Sequence, residues 1–177
     1  MKRIWESRVG GGDKQEAYCS WDTNTGLLEV KGDLGKCVQV FKGSDIVLGS
    51  EYIFCKSKSS KGYVVSRMKG LLEGVKRGYY IELEATGRSY MFINLMDRVL
   101  LKFGWMHYLK YKVEDSVKVF GSKEKIVIFG LDIEEVHRVA AILRAFKVRD
   151  AYKGKGISYV GEKIVLKVGK VGKAGKK

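Results

Sequence analysis

Two histidines and three cysteines are the side chains of this sequence with the widest chemical reach, and their spacing gives them little to do together. Cys19, Cys37 and Cys55 lie too far apart for the paired-cysteine knuckle of a zinc site, and an odd number makes a poor disulfide framework. General-base catalysis by either histidine makes strict geometric demands, and His107 would need a partner that the sequence does not name. His137 falls near the apolar side of a helical stretch, where a half-buried packing role is expected. His107, in FGWMHYL, follows Gly104 and Trp105 in what reads as a turn between strands. There is no Walker loop and no dinucleotide-type glycine fingerprint. Glu82 and Glu84 alternate with apolar residues, as on the solvated face of a strand. The expectation is a protein that is not an enzyme, with no catalytic residue, no metal, no cofactor and no small-molecule substrate, and with idle thiols in a reducing compartment.

A different chemistry is concentrated near the C-terminus. DAYKGKGISYVGEK, residues 150 to 163, interleaves lysines with glycines and holds only a few aliphatic side chains. Glycine removes the bulk that would hold backbone N–H groups away from a phosphate, while lysine supplies charge. Tyr152 and Tyr159 flank the Gly-Lys core and are placed to stack on an unpaired base or a ribose. Residues 147 to 177 carry ten Lys or Arg against Asp150 and Glu162, a net +8 out of the chain's +14. With 34 basic against 20 acidic residues, the partner expected is a polyanion, nucleic acid ahead of an acidic membrane surface. Cutting the chain after Lys147 is expected to weaken such binding and flatten its salt dependence.

The elements that must hold this ribbon are readable from periodicity. A hydrophobic content of 45% suffices for a core. No run reaches the ~20 apolar residues of a membrane span, and the first residues lack a signal-peptide core, so a soluble, non-secreted chain is expected. GLLEVKG, KCVQVF, DIVLG and EYIFCK predict short strands over 26–56. A helix follows at 61–77, with Val64, Val65, Met68, Leu71, Leu72 and Val75 as its apolar stripe, Arg67, Lys69 and Lys76 off that stripe, and Gly78 as its cap. Because that stripe is needed for a core, the helix is not free to lie on a membrane. The order then repeats: IELEAT, SYMFINL, VLLKF, YLKYKV, SVKVF and KIVIFG read as strands. A second helix follows at 131–147, N-capped by Asp132 with Glu135 as capping-box partner and striped by Ile133, Val136, Ala140 and Leu143. Gly-Ser pairs at 49–50 and 121–122 align the copies 72 residues apart. The fold class expected is α+β: two tandem similar domains, each a small antiparallel sheet with one packed helix, plus a basic C-terminal tail. The boundaries expected are an N-terminal extension over 1–25, domains over 26–78 and 79–148, and the tail over 149–177.

These residues resemble a known family, the sixth protein of the large ribosomal subunit. YKGKGISY followed by GEK is similar to its C-terminal signature, VAAILRAF (139–146) to its second helix, and LEGVKRGYYIELEATG (72–87) to its crossing between domains. EVKGDLG (29–35) and SRVG (7–10) are similar to its first strand pair and N-terminus. The resemblance implies a duplicated two-domain fold and a structural role on large-subunit rRNA, near the sarcin-ricin loop and stalk base, beside neighbouring ribosomal proteins. The alternative is an RNA-binding ribosome assembly factor. Carried over by motif, Tyr152, Lys153, Gly154, Lys155, Gly156 and Tyr159 are the RNA-binding residues implied, and His107 matches a family turn of glycine, aromatic, any residue, histidine. Lys163, Lys167 and Lys170 extend the basic set. Three departures stand out. Val148 and Ala151 lie where the family has prolines, which implies a looser approach to the signature. Val65 replaces a helix arginine, and Ser89 replaces the second glycine of a Gly-x-Gly-Tyr turn. With a composition free of proline and poor in residues from cytosine-rich codons, they point to an organellar ribosome, in the mitochondrial matrix, with the bacterial cytoplasm or another organelle as the alternative.

Overall fold

The computed structural model describes residues 3–7, 17–22, 25–41, 46–48, 53–55, 61–95 and 97–169. The fold is α+β, with antiparallel sheets and two helices. In chain order the strands are β1 (Arg3–Ser7), β2 (Ala17–Asp22), β3 (Leu27–Gly32), β4 (Gly35–Val40), β5 (Ile46–Leu48) and β6 (Ile53–Cys55), followed by helix α1 (Lys61–Arg77). The series repeats as β7 (Tyr79–Thr86), β8 (Met91–Leu95), β9 (Arg98–Lys102), β10 (Leu109–Lys112), β11 (Val117–Gly121) and β12 (Lys125–Gly130), followed by α2 (Ile133–Ala145) and a last strand, β13 (Gly156–Tyr159). Six strands and a helix therefore occur twice among the described residues, two strands more in the first copy than the four that the sequence pattern predicts there. The chain divides into two compact units, Met1–Tyr79 with Gly130–Val136, and Tyr80–Phe129 with His137–Lys177.

In the first unit β1-β2-β3-β4 form one antiparallel sheet, and β5 pairs with β6. Strands β1 and β2 fall within the stretch expected to be an N-terminal extension. Alternation in β3 sends Leu28 and Val30 inward, where they join Cys19, Trp21 and Phe41 against Val64, Met68, Leu71 and Val75 of α1. Each such side chain is worth about 1.5–3 kcal/mol when taken out of water. The helix stripe is thus the one the spacing predicts, and Gly78 ends it, with φ +73° and its N–H donating to Gly74 O at 2.8 Å.

Arg67 departs from the expectation. It is only 6% exposed, and its guanidinium grips the Asp132 carboxylate with both Nη atoms, with Gln39 Oε1 at 3.1 Å and Glu134 Oε2 at 3.2 Å. Burial pulls its pKa down, but the hydrogen bond and charge of Asp132 outweigh that and leave it above the usual arginine value. Asp132 also caps α2, accepting the Glu134 N–H at 2.9 Å. The cap expected at Asp132 is present, and the same carboxylate neutralises a buried arginine.

In the second unit β10-β9-β8 form a meander and β11-β12-β7-β13 a four-stranded sheet. Leu83, Leu101, Phe103, Ile126, Ile128 and Leu143 are each 1% exposed or less. Phe103 takes Tyr90 and Phe92 edge-on, both at 5.4 Å. His137 is exposed on α2 rather than half-buried. No helix among the described residues is long and apolar enough to cross a membrane.

Candidate nucleic-acid interface

The Gly-Lys ribbon is a folded part of the second unit. Strand β13 pairs antiparallel with β7, setting Ile157 opposite Ala85 and Ser158 opposite Glu84. On its other side Ile157 bridges to Val148, and its N–H donates to Lys147 O at 2.8 Å. Ile157 and Ser158 are fully buried. The sequence offers one aliphatic residue in this strand, and that residue is wholly used. A cut after Lys147 would therefore remove a core strand along with the charge.

Between Lys147 and β13 the chain makes a tight, internally satisfied turn. Asp150 donates its N–H to Lys155 O and accepts the Gly154 N–H at its own carbonyl, both at 2.9 Å. Its carboxylate takes the N–H groups of Tyr152 and Lys153 at 3.2 and 3.1 Å. Those two bonds favour the anion and hold the Asp150 pKa below its ordinary value. Arg149 closes the turn from inside: Nε donates to Gly154 O at 2.7 Å, Nη1 to Ser158 Oγ at 2.8 Å and Glu84 Oε1 at 3.4 Å, and Nη2 to Thr86 Oγ1 at 3.2 Å. Ala151 O accepts the Lys167 N–H at 2.8 Å, which lays the following segment alongside. The absence of proline near Val148 and Ala151 is thus offset by hydrogen bonds.

The glycines have structural duties. A Cβ on Gly156, whose φ is +150°, would lie 2.5 Å from Arg149 Cα and 2.7 Å from Arg149 N. Gly154 sits at φ +65°, in the left-handed region, with its N–H already given to Asp150. Both are buried. The expectation that bare glycine N–H groups approach phosphate therefore does not hold at Gly154. What the turn presents outward is Tyr152, 60% exposed, and Lys153 and Lys155, with Lys163 and Lys167 exposed further on. Tyr159 is half-buried under the Arg144 guanidinium, 5.1 Å from its ring, and Arg144 in turn pairs with Glu162 at 2.6 Å. Lys170 lies outside the described residues.

Three nearby carboxylates are engaged. Asp150 holds backbone N–H groups, Glu162 holds Arg144, and Glu84, expected on a solvated face, is half-buried and holds Arg149 and Ser158. None of Lys153, Lys155, Lys163 and Lys167 comes within 4 Å of a carboxylate oxygen among the described residues, although the charge of Lys153 is felt by Asp150.

His107 is brought to the same region. It stacks on Trp105, with ring centroids 6.4 Å apart and planes at 12°. Lys147 Nζ lies 5.4 Å from the Trp105 centroid, and the Lys147 carbonyl is the acceptor for Ile157 N–H. Sequence reasoning missed Arg149, Trp105 and Lys147. Trp105 was signalled by its place beside His107, whereas Arg149 had only its adjacency to Asp150.

Other reactive groups are dispersed. Burial pushes the Cys19 thiol up to about 11, against a smaller opposing effect of Lys76, which suits an idle core thiol. No cluster of three or more His, Cys, Asp or Glu among the described residues could hold a metal. A cleft of about 590 Å³, whose lining includes Leu95, Asp97, Glu114, Asp115 and Phe120, contains neither histidine.

The fold and site together define a duplicated α+β protein that displays unneutralised lysines and an aromatic turn from its second copy. The family model described as ribosomal protein L6 matches residues 93–160. The chain is 31% identical over 161 residues to large ribosomal subunit protein uL6 of Christiangramia forsetii, covering 84% of this chain and 89% of that protein, and it belongs to this family. It is also 36% identical over 115 residues to uL6 of Spiroplasma citri, spanning 64% of each chain. With uL6m of Reclinomonas americana it shares 29% identity over 168 residues, 85% of this chain and 91% of that one. Relatives thus include proteins named uL6 and proteins named uL6m.

Proposed function

We propose that this chain is a structural constituent of the large ribosomal subunit, bound to large-subunit rRNA near the sarcin-ricin loop and the stalk base and flanked by neighbouring large-subunit proteins. Its work is binding rather than catalysis. The observation that carries the reading is the set of four exposed lysines, Lys153, Lys155, Lys163 and Lys167, none of them ion-paired among the described residues, while Glu162, Glu84 and Asp150 are held by other groups. A rigid turn that offers cations without partners gains when phosphate counterions are released, and loses little entropy in doing so. Tyr152 adds an exposed ring beside them, His107 lies near the same strand, and Tyr159 helps fix Glu162 and the segment beyond. The proline-free composition supports a mitochondrial ribosome, in the matrix, and relatives named uL6m as well as uL6 are compatible with it.

Two measurements test this. In a native lysate run on gradients at low and high salt, the chain should stay with the large subunit throughout; release at moderate salt would favour an exchanging assembly factor. With the purified chain, Lys153→Gln with Lys155→Gln should leave thermal stability unchanged and reduce the log-log salt slope of RNA binding by roughly 1.4–1.8, at 0.7–0.9 per phosphate contact. An unchanged slope would leave these lysines as ordinary solvated charge.

A further inference from the structure

The turn from Gly104 to Tyr108 exposes more aromatic and apolar surface than packing of the second unit requires. Met106 is fully exposed, Tyr108 is 46% exposed and His107 is exposed, while Trp105 is half-buried. The rings are ordered all the same. Trp105 and His107 lie within 12° of parallel, Lys147 Nζ stands 5.4 Å from the Trp105 centroid, and Lys102 Nζ stands 5.6 Å from that of Tyr108. Parallel rings present their faces in one direction, so a further flat ring can extend the stack. Two ammonium groups, Lys147 over the Trp105 ring and Lys102 over that of Tyr108, suit a ligand that couples a π-face to a negative charge.

We propose that this turn is a stacking platform for an unpaired nucleobase of RNA, with Trp105 and His107 as the rings and Lys147 and Lys102 beside them for the adjoining phosphates. A paired base hides its faces inside the duplex, so a platform of this kind selects single-stranded or extruded nucleotides. Its place supports this. Lys147 touches Trp105 through its side chain and β13 through its carbonyl, so one RNA strand can meet the platform and the lysine turn together. The inference rests on the reading that the chain binds RNA and goes further, by naming the state of the base and the rings that take it. A protein partner would instead engage Met106 and Tyr108 in an apolar pocket and gain nothing from the ammonium groups.

The full chain would be titrated with an unpaired oligoadenylate and with an RNA duplex of equal length, alongside Trp105→Ala, Trp105→Phe and His107→Ala. Stacking predicts quenching of the Trp105 emission by the unpaired probe, so the quenching should be largely lost in Trp105→Phe, where Trp5 and Trp21 remain as the fluorophores. It also predicts about a tenfold loss of affinity for that probe in Trp105→Ala, with most of the affinity kept in Trp105→Phe and duplex binding unchanged throughout. His107→Ala should lose less, in the same direction. Equal losses on both probes, or none on either, would overturn the platform while leaving RNA binding by the lysines standing. If the unaltered chain bound neither probe, the RNA reading itself would fall, and the platform with it.

Discussion

In the first unit β1 lies at the margin of its sheet, with β2 as its neighbour. In the second, β7 holds the same place in the order of elements and lies between β12 and β13. The additional neighbour carries the lysine turn. After α2 the second copy continues into a strand that closes beside its own β7, and Arg149 pins the intervening turn to Glu84 and Thr86 of that strand. The first copy spends its arginine differently. Arg67 is buried, with Asp132 and Gln39 as partners, and offers nothing to a ligand. Two copies of one plan thus divide the work, one arginine fixing an interior and the other a display.

The largest effect that would sharpen this contrast is expected at the interior arginine. Asp132→Ala takes the bidentate carboxylate from the Arg67 guanidinium, whose Nε already lacks a partner, leaves it only Gln39 and the exposed Glu134, and removes the α2 cap. Thermal unfolding should show a loss of about 3–5 kcal/mol, as when one partner of a buried ion pair is deleted. A loss under about 1 kcal/mol would mean that water reaches Arg67 and the two arginines are alike.

Gly156→Ala comes next. Its Cβ would meet the Arg149 backbone, so about 2–3 kcal/mol should be lost as the strand shifts. RNA affinity should fall with it, whereas Lys153→Gln should alter affinity alone. If Gly156→Ala were as stable as the parent chain, the turn would be a loose appendage.

A smaller and more local effect belongs to Asp150. Its folded pKa lies below its unfolded value, so its ordering of the turn is complete above about pH 4 and is lost as pH falls through the lower, folded value. Asp150→Ala should speed hydrogen exchange at the Tyr152 and Lys153 amides near neutral pH and abolish that acid step, leaving Arg67 and the first unit unaffected. Unchanged exchange would show that Arg149 alone holds the turn.

The smallest effect has the opposite sign. Ser89 has φ +64°, and it is the one non-glycine residue with positive φ among the described residues. Ser89→Gly should raise stability by about 0.5–1 kcal/mol through relief of left-handed strain, partly offset by the added freedom of the unfolded chain.

These sites differ in how far the sequence could disclose them. The helices and most strands were legible because their partners lie within one apolar period. The α1 stripe from Val64 to Val75 and the alternation of Leu28 with Val30 identify their own buried faces. Arg67 was not legible, because its position between Val64 and Leu71 becomes interior only when a carboxylate from another segment arrives, and Asp132 is distant in sequence. The ribbon was legible as chemistry and not as structure. Lys153, Lys155 and Tyr152 are exposed as expected, but burial of Ile157 and Ser158 depends on β7, which no local pattern couples to them. Ser89 was visible as a departure from a family glycine, and the backbone supplies its meaning: the turn keeps a glycine's conformation without the glycine. Strands β1 and β2 escaped notice because polar and glycine-rich residues surround them.

The closure of the second sheet by β13 also bears on how the chain is made. Synthesis runs from the N-terminus, so β7 is built long before the strand that covers one of its edges. Until β13 emerges, that edge carries unpaired backbone groups and the site later filled by Ile157 is open to water. A nascent chain halted short of β13 would hold a settled first unit and an unfinished second one, prone to pairing with other exposed strands. Display of the lysine turn therefore reports that the strand completing the second sheet has been made.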